Sequence, residues 1–324
     1  MPVEPSPDRV NELLTKFSVL YLQQQEGFGY HKMFSMLPVE HRSDSYMEYG
    51  IGQFFTDEAR QIAPGEESPV GNFVGTEVSY LCKKYALRKG VTEEDYDNAG
   101  NRLGPQRVAT AYTTQKVMIA LERLFANNFL TTGVWGADMQ GVASGPTTNQ
   151  FVQWDATANV TILKNVEIWK EKVATACGQP PNVLGLSPDV YAVLRSAAEV
   201  RDLTKYTSSD SISLKVLARL FDLERVVVMG GIYNSAKQGA TPALARVASK
   251  KILLAYSPEV ATPESVTAGI CFGWKGKKGL SKYGTRVKQW YEEATESDII
   301  QTEGYVDLKK ICAPCGLYAY NVIA

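Results

Sequence analysis

Histidine is nearly absent from this chain of 324 residues: only His31 and His41 occur, and neither lies at a spacing from Cys, Asp or Glu that metal coordination uses. Surface or partner contact is the expected role of both. The five cysteines (Cys82, Cys177, Cys271, Cys312 and Cys315) are odd in number and spread along the chain, unlike a disulfide framework, so reduced thiols are expected. No stretch approaches the roughly 18 consecutive apolar residues of a membrane helix. The N-terminal MPVEPSPDRV has no basic leader, and FSVLYL (17–22) is shorter than a signal-peptide core, which predicts a soluble protein made in the cytoplasm. Charge of one sign is missing too. With 34 basic against 35 acidic residues, no global field exists to hold nucleic acid or an anionic membrane, and any such contact has to be local. GxSxG, HExxH, GxGxxG and paired-carboxylate signatures do not occur.

What is present is an ordinary globular composition, 44% hydrophobic and 21% charged with a mean hydropathy of −0.18, long enough for one large domain or two to three smaller ones. Pro7 and Asp8 open a helical pattern running from Val10 to Tyr21, ended by Gly27 and Gly29. To about residue 90 the chain is aromatic but poorly periodic, with turn signals at Pro38, Gly50, Pro64-Gly65 and Gly71-Asn72, as arms and extended loops would be. In VTEEDYDNAG, Thr92 caps a helix whose first turn holds Glu93, Glu94 and Asp95; this acidic trio reads as a cap rather than a catalytic group. A long amphipathic helix follows from Arg107 to Leu130. Residues 131–153, rich in Gly, Thr and Ala, read as an irregular connection.

Beyond it, Ile162, Val166, Trp169, Val173 and Ala176 form a helical stripe closed by Gly178 as a left-handed cap. Val183 and Leu184 fit a short strand, and Ser187-Pro188-Asp189 starts a new helix. A helix at Ser213 to Leu223 and strands at Arg225 to Met229 and Lys251 to Tyr256 make this region α/β. VTAGICFGW, TRVKQWYEE, GYVDLKKIC and GLYAYNVIA are strand candidates, the last with Tyr318, Tyr320 and Val322 alternating as on one buried face.

Three segments carry possible chemistry. Cys312-Ala-Pro-Cys315 has the spacing of a dithiol redox site but lies between strands, where a turn with small buried residues is the better reading. RVVVMGGIYN lacks the spacing of a nucleotide-binding turn, and in GWKGKKGLS Lys278 stands where a phosphate-binding loop needs Ser or Thr. The basic run Lys275, Lys277, Lys278, Lys282, Arg286 and Lys288, followed by Glu292, Glu293, Glu296 and Asp298, suits phosphates, a complementary subunit or a solvated face.

Taken together, from Trp154 to the end the segments WDATANVTILKNVEIWKEKVATACGQPPNVLGLSPDVYAVL, LARLFDLERVVVMGGIYN, ASKKILLAYSP and GLYAYNVIA, and more loosely SYLCKKYALRKGVTEEDYDNAG before the long helix, resemble the major capsid protein family of tailed phages. The resemblance implies an α+β, Hong Kong 97-type capsid fold: an N-terminal arm (1–43), an extended loop (44–90) with its tip near PGEESPVGN, a peripheral domain with a long spine helix (91–177 and 266–324) and an α/β axial domain (178–265). It implies a non-enzymatic major capsid protein of the virion, assembled in the host cytoplasm from hexamers and pentamers into an icosahedral shell around double-stranded DNA. No cofactor, metal or membrane is implied. Pro64, Gly65, Glu66, Glu67, Lys275, Lys277 and Lys278 are the candidate subunit contacts. Without a long N-terminal coiled segment, a separate scaffolding protein is expected, with a portal, a possible decoration protein and non-specific contact to packaged DNA, and no covalent crosslinking. A bacterial encapsulin shell is the nearest alternative; an α/β enzyme using Cys312 and Cys315 as a dithiol is another.

Overall fold

The computed structural model describes residues 9–10, 14, 16, 18, 27–72, 74–99, 103–156, 160–204, 213–237, 239–262, 264–276 and 285–324. Arg9–Val10 is a short strand (β1), and Leu14, Lys16 and Ser18 are helical. The expected opening helix therefore starts later than Val10; the rest of that expectation lies outside the described residues. Next come α1 (Tyr30–Met33), β2 (Ser35–Val39), β3 (Ser43–Tyr49), α2 (Ile51–Phe54), β4 (Gly75–Leu81), β5 (Lys83–Thr92), α3 (Glu93–Ala99) and α4 (Leu103–Phe129). The second half holds β6 (Ala137–Val142), β7 (Gln150–Val152), α5 (Ile162–Cys177), β8 (Val183–Leu186), α6 (Pro188–Ser196), α7 (Ala198–Thr204), α8 (Leu214–Leu220), β9 (Arg225–Val228), β10 (Ile232–Asn234), β11 (Leu244–Arg246) and β12 (Lys251–Ala255). The last strands are β13 (Gly269–Trp274), β14 (Thr285–Glu292), β15 (Ser297–Lys310) and β16 (Gly316–Tyr320).

Two six-stranded sheets organise these elements. The first runs β1-β14-β15-β13-β2, with β5 also paired to β15. The second runs β7-β6-β16-β12-β8-β9. Its central strands are buried on both faces, VLGL in β8 and ILLA in β12, and read as unbroken apolar runs because helices or neighbouring segments cover each side. Residues 316–319 of β16 are buried as well, so the expected one-sided alternation of Tyr318 and Tyr320 does not hold. The stretch 131–153, expected to be irregular, supplies β6 and β7, both in parallel pairings: β7 pairs β6, and β6 pairs β16 from the far end of the chain. Within 266–324, residues 269–310 join the first sheet and 316–320 the second.

Local signals explain the helices. Thr92 Oγ1 accepts from the Asp95 N–H at 3.2 Å while the Asp95 carboxylate accepts from the Thr92 N–H at 3.2 Å, a reciprocal cap at the start of α3. α5 ends at Gly178, whose φ of 73° lies in the left-handed region that glycine adopts without strain. Its buried stripe is Ile162, Val166, Trp169, Val173 and Cys177, with Ala176 exposed. The N-terminus of α5 is capped from a distance, Glu199 of α7 accepting from the Ile162 N–H at 2.7 Å and the Leu163 N–H at 3.3 Å. Ser187 does not cap α6 with its side chain; its hydroxyl accepts from the Lys251 N–H, stitching β12 to the helix start. Trp169 stacks on Trp154 and meets Phe151 edge-on, with centroids 5.8 and 5.0 Å apart, so α5 seats against β7. No helix among the described residues is long and apolar enough to cross a membrane.

Candidate assembly surface

β3 and β4 pair antiparallel from Ser43 with Leu81 to Tyr49 with Gly75, so the region read as an extended loop is a two-stranded hairpin. Neither strand alternates cleanly because most of both faces meets solvent, which is why the sequence lacked a period there. At the neck, the Val74 N–H donates to Gln53 Oε1 at 2.8 Å and the Gln53 amide donates back to the Val74 carbonyl at 3.2 Å. Beyond the neck every described residue from 56 to 72 is exposed. Pro64 and Gly65 form a turn: Gly65 has φ 88°, and the Glu66 N–H donates to the Ala63 carbonyl at 3.0 Å, as a proline-glycine turn of type II requires. The Arg60–Glu66 ion pair, 3.7 Å and exposed, contributes little. The candidate contacts Pro64, Gly65, Glu66 and Glu67 therefore all sit at an exposed tip, near Val70, which is 89% exposed.

The root of the hairpin is anchored. Tyr80 stacks on Phe272 of β13 at 4.6 Å, Tyr46 packs against the same ring, and Asp307 accepts from the Leu81 N–H at 3.0 Å. Phe55 lies over Gly178 at the end of α5, where any side chain would strike the ring. A cavity of about 640 Å³ opens there, lined by Tyr49, Phe55, Gly178 and Cys312 among others. Cys312 and Cys315 flank a short 3-10 turn between β15 and β16, which is the structural reading expected for this motif. All five cysteines are free thiols. Cys315, hydrogen-bonded to Cys177 and Cys312 and buried, is held protonated, while the same bonds lower the other two.

The basic run does not form one solvated face. Lys275 is exposed, Lys277 and Lys278 lie outside the described residues, and Arg286 is buried in an ion pair with Glu303. Glu303, itself fully buried, also takes the Lys84 ammonium at 2.9 Å, and these partners hold its carboxyl below the usual range against the effect of burial. Nothing local marks this group in the sequence, because its members meet only across β5, β15 and β14. Glu122 was equally hidden. From α4 it accepts from the Gly29 N–H (3.1 Å) and the Tyr30 N–H (2.9 Å), tying the start of α1 to the long helix, and burial pushes its carboxyl up to about 7. His31, expected at the surface, is partly buried against Tyr30, and desolvation lowers it to about 4; His41 is exposed. Among the described residues no cluster of His, Cys, Asp and Glu is arranged to hold a metal.

No protein-family model matches the chain. Among curated proteins it is similar to the major capsid protein of Pseudomonas phage JBD67, 21% identical over 245 residues that cover 75% of each chain. It is also similar to the major capsid protein of Burkholderia phage BcepMu, 25% identical over 137 residues, 41% of this chain and 42% of that one. Among solved structures, a phage-related protein from Bordetella bronchiseptica RB50 matches 98% of this chain and 99% of its own with a TM-score of 0.71 at 19% identity. The capsid structure of cyanophage P-SCSP1u matches 99% of this chain and 90% of its own with a TM-score of 0.53 at 10% identity. The chain has the Hong Kong 97-type fold of phage major capsid proteins. The fold extends to protein compartments: the SrpI encapsulin complex of Synechococcus elongatus PCC 7942 matches 99% of this chain and 93% of its own, with a TM-score of 0.53 at 11% identity.

Proposed function

We propose that this chain is a major capsid protein that assembles with copies of itself, as hexamers and pentamers, into the icosahedral shell around the double-stranded DNA of a phage. The observation that carries the reading is a capsid fold whose hairpin has an anchored root and a tip exposed at every described residue from 56 to 72. An irregular segment of that length, with Val70 held in solvent, gains its burial from a neighbouring subunit. The subunit acts structurally, without catalysis, and assembles in the host cytoplasm with a separate scaffolding protein, a portal and, in some shells, a decoration protein. Its parts are an N-terminal arm (1–43), an extended loop (44–90), a peripheral domain (91–177 and 266–324) and an axial domain (178–265). Contacts between subunits centre on Pro64 to Glu67, with Lys275 to Lys278 as a second patch. Similarity to an encapsulin favours a second reading, a compartment shell, which would enclose a cargo enzyme in place of DNA.

Electron microscopy and sedimentation of the full chain and of a chain lacking Pro64 to Asn72 test this. Shells or capsomer rings are expected from the first, and a soluble, folded subunit without shells from the second. Normal shells from the deletion would refute the role of the hairpin. A full chain that stays monomeric even when co-expressed with the neighbouring genes would refute the capsid reading itself.

A further inference from the structure

The near-zero net charge conceals a segregation. β5 (KKYALRKGVT) and α4 (LGPQRVATAYTTQKVMIALERLFANNF) together contain seven of the 34 basic residues and one of the 35 acidic ones. That acid, Glu122, is 1% exposed and occupied by the backbone amides of Gly29 and Tyr30. The two elements lie side by side: Val91 of β5, Ala109 of α4 and Ile300 share one buried cluster, and the hydroxyls of Thr113 and Thr302 are 2.8 Å apart. Strand alternation sends Lys89 to the sheet face that carries α4, whereas Lys84 points to the opposite face and is held by Glu303.

On α4 itself, Tyr112, Lys116, Arg123 and Asn127 are solvent-exposed and follow one another at spacings of four, seven and four, which places them on one stripe about 22 Å long. Lys89 and Lys116 both lean on the half-exposed ring of Tyr112, their ammonium groups 5.4 and 5.6 Å from its centroid. Arg123 sits over Tyr233 of β10 at 4.5 Å. Among the described residues none of these three cations has a carboxylate partner. Two ammonium groups within 5.6 Å of one ring centroid and without a carboxylate partner leave positive charge there that a phosphate can neutralise. A duplex presents a phosphate every 3.4 Å along each strand, so a stripe of this length faces about six phosphates on one strand.

We propose, resting on the capsid reading, that this stripe of Lys89, Tyr112, Lys116 and Arg123 is the inward face of the shell and binds the phosphates of the packaged duplex without reading its sequence. Phosphate contacts by lysine and arginine need no groove geometry and tolerate a duplex that slides past. The acidic residues of α3 follow β5 in the chain, beyond Lys89.

The test is a titration of purified subunits with a fluorescent 30-base-pair duplex at salt concentrations from 50 to 200 mM. The wild-type chain is compared with Lys89→Gln/Lys116→Gln/Arg123→Gln and with a control, Lys164→Gln/Lys237→Gln/Lys250→Gln, drawn from exposed lysines elsewhere. Losing three phosphate contacts reduces the slope of log affinity against log salt by about 2 to 3, and the control leaves it at the wild-type value. An unchanged slope in the first triple variant, an equal loss in the control, or a wild-type chain that ignores duplex each overturns the proposal. So does a triple variant that binds duplex normally but no longer forms shells with its co-expressed genes, since the stripe would then serve a protein partner. Shell formation by the wild type is scored separately by microscopy, so failure of the capsid reading and failure of the DNA face give different results.

Discussion

The second sheet and the β3–β4 hairpin are opposite solutions to the same problem of burying an extended chain. In the sheet, Val183–Leu186 and Lys251–Ala255 pair on both edges and are covered on both faces, so stability comes from this chain alone. The hairpin pairs its two strands with each other, docks only its root on Phe272 and Gly178, and leaves the tip in water. On the proposed function, one region sets whether the subunit folds and the other whether subunits meet, and the two are separable by mutation.

The largest effects should fall in the sheets and leave the tip untouched. Leu253→Ala, at a site with no exposure, should lower the unfolding free energy by about 3 to 5 kcal/mol, read by denaturant titration. A loss below about 1 kcal/mol would break the comparison, because the sheet would then not be the stabilising unit. Glu303→Ala should cost a similar amount, since Arg286 stays buried without its carboxylate; Glu303→Ala as stable as wild type would show that the ion pair is dispensable. Next comes Glu122. Its carboxyl titrates near 7 in the fold, above the ordinary value of 4.5, so the folded state holds the proton more tightly than the unfolded one. The stability this provides is complete below about pH 4.5 and is lost as pH rises through 7, by roughly 3 kcal/mol. Glu122→Gln should flatten that part of the stability profile; an unaltered profile would mean the carboxylate is already charged at low pH. The smallest effect belongs to the tip. Val70→Ser should change subunit stability by less than about 0.5 kcal/mol while lowering the yield of shells in sedimentation, and a large loss of stability would show that the tip packs on its own subunit.

Legibility followed the range of the interactions. Thr92 with its acidic first turn, the Gly178 stop and the Pro64-Gly65 turn were readable because each is decided within a few residues. The apolar runs of β8 and β12 announced buried strands for the same reason. β6 and β7 were not readable, since parallel pairing with β16 or with each other leaves no turn signal and tolerates glycine and threonine. Arg286 looked like part of a solvated basic run because Glu303 lies on another strand. The exposed candidates Pro64 to Glu67 came from the family resemblance, which set a loop tip at the Pro64-Gly65 turn, whereas the stripe of Lys89, Lys116 and Arg123 exists only once β5 and α4 are laid together. The order of segments, which carried the family resemblance, survived where individual residues did not.

The position of β16 also sets a timetable. This strand fills the middle of the second sheet, hydrogen-bonded to β12 on one side and β6 on the other, yet it is translated some 175 residues after β6 ends. At about 5 to 20 residues per second of synthesis, the open edge of β6 waits roughly nine to thirty-five seconds for its partner and that of β12 roughly three to twelve. Until Gly316–Tyr320 slots between them, the sheet stays in two halves, and an incomplete chain offers its bare strand edges to chaperones and proteases instead of a finished surface to its neighbours.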